Sequence, residues 1–93
     1  MTLDQLMMYI AVCEHGSFSS AAKAIYASRQ AVSKAVSELE KELGYPLLVR
    51  LTSGVEPTDF GSAVLEQAKT MVAARDRIIA AAKERIVAKE RLS

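Results

Sequence analysis

In the stretch SRQAVSKAVSELEKELG, Ser28 to Gly44, the residues Arg29, Gln30, Ser33, Lys34 and Ser37 follow one another four or fewer steps apart. At helical spacing they share one side of a helix, opposite a stripe of Val32, Val36, Leu39 and Leu43. Arginine and glutamine carry paired hydrogen-bonding groups that match guanine and adenine edges in a DNA major groove, while serine and lysine suit phosphate oxygens. Glu38, Glu40 and Glu42 crowd the far end of the stretch. Positive character is therefore concentrated in the N-terminal half, where the helix dipole is positive as well. Any amphipathic helix exposes a polar face to water, so the strip gains meaning only from the elements that hold it. Arg50, at the end of a short strand, either reaches a neighbouring backbone phosphate or the minor groove or is only a solvated strand end, and Lys23 either touches the same backbone or is simply solvated.

Other chemistry is poorly supplied. One cysteine, Cys13, and one histidine, His15, cannot assemble a structural zinc site, and a single cysteine cannot form an internal disulfide. Cys13 reads as a small buried hydrophobe, and His15 as a complement to a helix end. No glycine-rich phosphate loop and no carboxylate pair set for acid-base work is present. The pattern predicts neither an enzyme nor a cofactor.

The positioning elements are mostly helical. Thr2 with Gln5 forms a capping-box signature, after which Leu3, Leu6, Ile10 and Cys13 recur at helical spacing until Gly16. Met7, Met8, Tyr9, Ala11 and Val12 make this first helix apolar on more than one stripe, so a second face should be covered too. Ser17 caps a short second helix with Phe18, Ala21, Ala22 and Ile25 on one side, ending near Tyr26. Ser28 caps the third, and Gly44 stops it. So short a link between the second and third helices predicts a helix-turn-helix.

YPLLVRLTSGVEPT then predicts a small two-stranded hairpin, a wing near 48–56. From Thr58 onward Val64, Ala68, Met71, Val72, Ile78, Ile79, Ala82 and Ile86 mark one long amphipathic helix. Its stripe needs a partner, which helix one can supply at its start and the same helix of a second subunit further along. Two units result: residues 1–57, three helices with a short two-stranded β wing, and residues 58–93, a linker and dimerisation helix.

The 93 residues suffice for one small core, and the formal net charge is +1. Residues 1–57 carry five Lys or Arg against six Asp or Glu, and residues 58–93 seven against five. Affinity for DNA must therefore come from local placement. No apolar run approaches the roughly 18 residues that span a bilayer, so no membrane partner is expected and the cytoplasm is the default location.

The stretches GSFSSAAKAIYAS (Gly16 to Ser28), AVSKAVSELEKELG (Ala31 to Gly44) and PLLVR ending at Arg50, with Leu3, Gln5, Leu6, Thr58 and Gly61, carry a resemblance. Over nearly the whole chain they resemble the N-terminal DNA-binding domain of LysR-type transcriptional regulators, a winged helix-turn-helix followed by a dimerising linker helix. The resemblance implies a bacterial, nucleoid-associated protein that binds double-stranded DNA as a homodimer through the linker helix, with the third helix in the major groove and the wing on adjacent backbone or minor groove. Ser28, Arg29, Gln30, Ser33 and Lys34 match the recognition-helix contacts, Ser37 continues that face, and Arg50 matches the basic residue of the wing. There are three departures. Arg29 and Gln30 stand where glutamine and proline are usual, a second wing arginine is replaced near Ser53, and Leu48 with Val49 replaces the usual aromatic before the wing arginine. Base preference should change, and wing binding should be weaker than is typical. Family members usually continue into an effector-sensing domain, so the chain is expected to be a fragment whose small-molecule effector binds only through a C-terminal domain outside it. A natural short form is the other option. The contrasting reading is a protein-interaction or dimerisation module that has lost specific DNA readout, which near-neutral charge allows.

Overall fold

The computed structural model describes residues 1–92, so Ser93 of the 58–93 unit lies outside the described residues. The chain forms α1 (Leu3–His15), α2 (Phe18–Ala24), α3 (Arg29–Leu43), β1 (Leu48–Leu51), β2 (Gly54–Pro57) and α4 (Asp59–Leu92). This is a winged helix-turn-helix with a long C-terminal helix.

Local sequence accounts for the boundaries. Thr2 and Gln5 form the capping box at α1, with Gln5 N–H donating to Thr2 Oγ1 at 3.1 Å and Thr2 N–H donating to Gln5 Oε1 at 3.0 Å. Ser17 and Ser28 cap α2 and α3 by accepting from the backbone N–H of Ser20 and Ala31. Gly16 and Gly44 end α1 and α3 in the left-handed conformation, φ 73° and 75°. Between α2 and α3, Tyr26 takes a left-handed φ of 57° while 98% exposed, an uncommon posture for a bulky side chain.

The core gathers Leu6, Tyr9, Val12, Phe18, Ala21, Val32, Val36, Leu39 and Leu47, all nearly inaccessible to water. Burying a large aliphatic or aromatic side chain contributes about 1.5–3 kcal/mol, so these positions dominate the stability of a small domain. α1 lies at the centre, with α2, α3, β2 and the start of α4 packed around it. Its second apolar face is thus covered within its own chain. The deepest residues of α1 are Leu6, Tyr9 and Val12, whereas Leu3, Ile10 and Cys13 pack at the margin. Ile25 also departs from expectation: it caps the C-terminus of α2 and is 38% exposed, because the helix ends before the position that would have turned it inward.

β1 and β2 pair antiparallel, with Arg50 opposite Val55 and Leu51 opposite Gly54. The hairpin is tied to the body by Val55 N–H donating to Gly16 O at 2.8 Å. Leu47 immediately precedes the strand and is fully buried.

Entry into α4 is fixed by a compact polar knot. Thr58 Oγ1 accepts from Gly61 N–H at 2.9 Å and donates to Pro46 O at 2.8 Å, while Thr58 N–H donates to Leu47 O at 3.1 Å. The buried Tyr9 hydroxyl lies 3.0 Å from Leu47 O and 2.9 Å from Gly61 O, shared between the two acceptors. A Cβ at Gly61 would collide with Leu47 O and the Tyr9 hydroxyl. Further along, Val64 and Ala68 pack into the chain's own core, Val72 is half-buried, and Met71, Ile78, Ile79, Ala82 and Ile86 are exposed.

Candidate nucleic-acid interface

On α3 the core stripe Val32, Val36 and Leu39 faces α1, which turns the opposite side of the helix outward. At about 100° per residue, Gln30, Lys34 and Ser37 fall within about 60° of one another at the centre of that side. All three are exposed. Ser33 lies on the flank, half-buried, and Arg29 is exposed on the same flank at the first turn. Ser28 is engaged by its side chain as the cap, so its hydroxyl already accepts from Ala31 N–H at 3.0 Å.

The strip is less free of acid than its sequence suggests. Lys34 Nζ stands 3.9 Å from a Glu38 carboxylate oxygen, since residues four apart on a helix are neighbours. Glu38 also accepts from Gln5 Nε2 at 2.7 Å, which draws it toward α1. Glu40 faces the body and accepts from Leu47 N–H at 2.8 Å, and Glu42 pairs with the Met1 ammonium group. All three acidic residues at the far end are thus engaged by other groups, Glu38 by both Lys34 and Gln5. Ser37 borders a shallow surface with Glu40, Lys41 and Tyr45 rather than with Arg29.

The wing contributes Arg50. Residues opposite each other in an antiparallel pair project from the same face, and Val55 packs against the core, so Arg50 is turned toward the body. Its guanidinium lies over the Phe18 ring, 5.2 Å from the centroid. Beside it a groove of ≈ 250 Å³ is lined by Ser17, Phe18, Ser19, Arg29, Arg50, Leu51, Thr52, Gly54 and Val55. The structure therefore brings Arg29 and Arg50 together, separates Ser37 from them, and leaves Ser53 exposed at the tip of the wing. Reasoning from sequence did not single out Ser17, Phe18, Ser19 or Thr52 as part of this site. Phe18 directly after a capping serine read as core alone, and nothing local announced the arginine it carries.

Residues 3–62 match the family model described as bacterial regulatory helix-turn-helix protein, lysR family. The chain belongs to the LysR family. It is 43% identical over 79 residues to a probable HTH-type transcriptional regulator LrrA of Synechococcus elongatus, a match covering 85% of this chain and 27% of that protein. It is 41% identical over 76 residues to the HTH-type transcriptional regulator BudR of Klebsiella aerogenes, covering 82% of this chain and 53% of that one. The LysR-family chain thus spans between about a quarter and about a half of the length of these curated relatives. Among solved structures, the CbnR_DBD–DNA complex superposes with a TM-score of 0.84 at 33% identity, over 90% of this chain and 97% of that one. The BenM_DBD/benA site 1 DNA complex gives 0.84 at 30% identity, over 90% and 98%.

Proposed function

We propose that this chain is the sequence-specific double-stranded DNA-binding part of a LysR-type transcriptional regulator, acting as a homodimer through α4. α3 enters the major groove, with Ser28, Arg29, Gln30, Ser33, Lys34 and Ser37 along the contact face. The wing, with Arg50 and Ser53, lies on the adjacent backbone or minor groove. The observation that carries this reading is the turning of Gln30, Lys34 and Ser37 outward on one helix face, flanked by two arginines from α3 and the wing. Related DNA-binding domains titled as complexes with DNA support it. Regulation by a small-molecule effector through a further domain, in the bacterial cytoplasm on nucleoid DNA, belongs to the same proposal, as does the division into a 1–57 reader and a 58–93 linker. Selection of bound sites from a random duplex pool by the purified chain tests it, with a two-fold symmetric motif as the expected outcome.

The second reading is a protein-interaction module without specific DNA readout, favoured by the net charge of +1 and the long exposed apolar side of α4. Replacing Arg29 and Lys34 together by alanine separates the two. Loss of duplex affinity at low salt supports the DNA reader, and unchanged affinity supports the interaction module.

A further inference from the structure

Arg29 stands about 100° round α3 from Gln30, on the flank facing the wing rather than at the centre of the outward side. It shares its groove with Arg50, whose guanidinium is held over Phe18 at 5.2 Å. Hydroxyl side chains of Ser17, Ser19 and Thr52 line the same groove, and no carboxylate does. Neither arginine is ion-paired to a carboxylate among the described residues. Two uncompensated cations beside hydroxyl groups in a groove open to solvent form a site for a singly charged tetrahedral anion. Base reading asks for something else: a planar group projecting from the middle of the helix face, which is where Gln30 stands.

Building on the proposed DNA-binding role, the geometry points to a division of labour in which Arg29 and Arg50 clamp one DNA backbone phosphate between recognition helix and wing, leaving base readout to Gln30. The second wing arginine expected near Ser53 is then replaced from the recognition helix, and wing and helix are fixed in register on the duplex by a shared contact. Arg29 thereby sets position and affinity, and the identity of the bases read depends on its neighbour.

The test is quantitative binding of the full chain to its selected duplex and to every single-base variant of one half-site, across salt. Arg29→Ala should weaken all variants by the same factor and lower the log–log salt slope by about two, one for each half-site of the dimer. Between about 50 and about 200 mM salt, its affinity should therefore fall roughly twelvefold less than that of the wild type. Arg29→Lys should keep both slope and preference, because an ammonium group suffices for a phosphate but not for a bidentate contact to guanine. Gln30→Ala should relax preference at one position with the slope unchanged. Replacing single phosphates by neutral methylphosphonates should reveal one position in each half-site that weakens the wild type, and that weakens Arg29→Ala and Arg50→Ala each by a smaller factor because either variant keeps the other arginine. A relaxed base preference in Arg29→Ala, an unchanged slope, or a methylphosphonate effect reduced at different positions by the two arginine variants would overturn the clamp while leaving the DNA-binding reading intact. A wild-type chain that binds no duplex would overturn both, before any variant is made. Titration of inorganic phosphate is the remaining arm: binding that Arg29→Ala abolishes, with no accompanying change in duplex binding, would assign the groove to a free anion and also overturn the clamp.

Discussion

Tyr9 links the interior of the domain to its junctions through one hydroxyl. Its proton is shared between Leu47 O and Gly61 O, and burial holds the phenol well above its ordinary range, with the neighbouring Cys13 thiol contributing next. Burial also pushes the Cys13 thiol up. Tyr9→Phe keeps the ring and removes the bonds. Leu47 O retains its bond from Thr58 N–H, so the expected loss is about 1 kcal/mol, read by urea unfolding with an unchanged m-value. The pH dependence follows from the same burial. A group whose folded-state pKa is raised contributes stability that is fully present below its unfolded pKa and lost as pH rises toward the folded one. Wild-type stability should therefore decline above about pH 8.5 as Cys13 becomes linked to folding, and more steeply above about pH 10 as Tyr9 does. Tyr9→Phe should retain the first decline and lack the second. Equal slopes above pH 10 in both proteins would remove Tyr9 from the linkage. Tyr26 is the opposite case, an exposed aromatic in left-handed backbone that costs about 1 kcal/mol for a side chain other than glycine or asparagine. Tyr26→Asn should raise the urea midpoint, because asparagine tolerates that conformation.

At the scale of elements, junctions matter more than helix interiors. Gly61 sits where α4 passes so close to the Leu47 carbonyl that a methyl group has no space. Gly61→Ala should cost about 1–3 kcal/mol, as overpacking does, even though alanine favours the helix itself. Thermal unfolding checks this, and a rise in midpoint would mean that the α4 entry can shift without loss. The sequence carried much of this level. Thr2, Ser17 and Ser28 mark helix starts, Gly16 and Gly44 mark ends, and Val32, Val36 and Leu39 define the buried side of α3, because caps and periodicity are local signals. What it could not show depends on distant residues meeting. Arg50 read as a strand end, yet its guanidinium lies on Phe18 from another element. Lys34 read as part of a positive N-terminal half with the acidic residues set apart at the far end, yet Glu38 answers it one turn on. Ile25 extended a helical pattern by one position, yet α2 stops first. The extra apolar residues of α1 called for cover on a second face, and the start of α4 in the same chain supplies it.

At the scale of the molecule, α4 extends about 51 Å at 1.5 Å per residue, and the chain as a whole measures 59 × 25 × 18 Å. Only the first part of that helix has a body to lean on. Val64, Ala68, Met71, Val72, Ile78, Ile79, Ala82 and Ile86 all fall within about 120° of one another on a helical projection, so a single stripe is buried against α1 near its start and bare beyond. Arg75 marks the transition, with Nη1 at 3.3 Å from the Met7 sulfur and Nη2 at 3.5 Å from Asp76. Beyond it Ile78 is 71% exposed and Ile86 57%. Isoleucine in that posture along one side of a long helix is what a second copy would cover, and a two-fold arrangement would hold two α3 helices at a fixed separation. Successive major grooves on one side of DNA lie about 34 Å apart, so the proposed dimer would convert two weak half-site contacts into one strong one. Replacing Ile78 and Ile79 together by glutamate should leave helix content and core stability near those of the wild type, since neither side chain is in the core. It should convert the sedimenting species to monomer and abolish the preference for a symmetric site over a single half-site. A charged pair that left the protein dimeric would place the subunit contact on another surface, with the apolar groove of α4 beside Leu6, Leu43 and Phe60 the next to be altered.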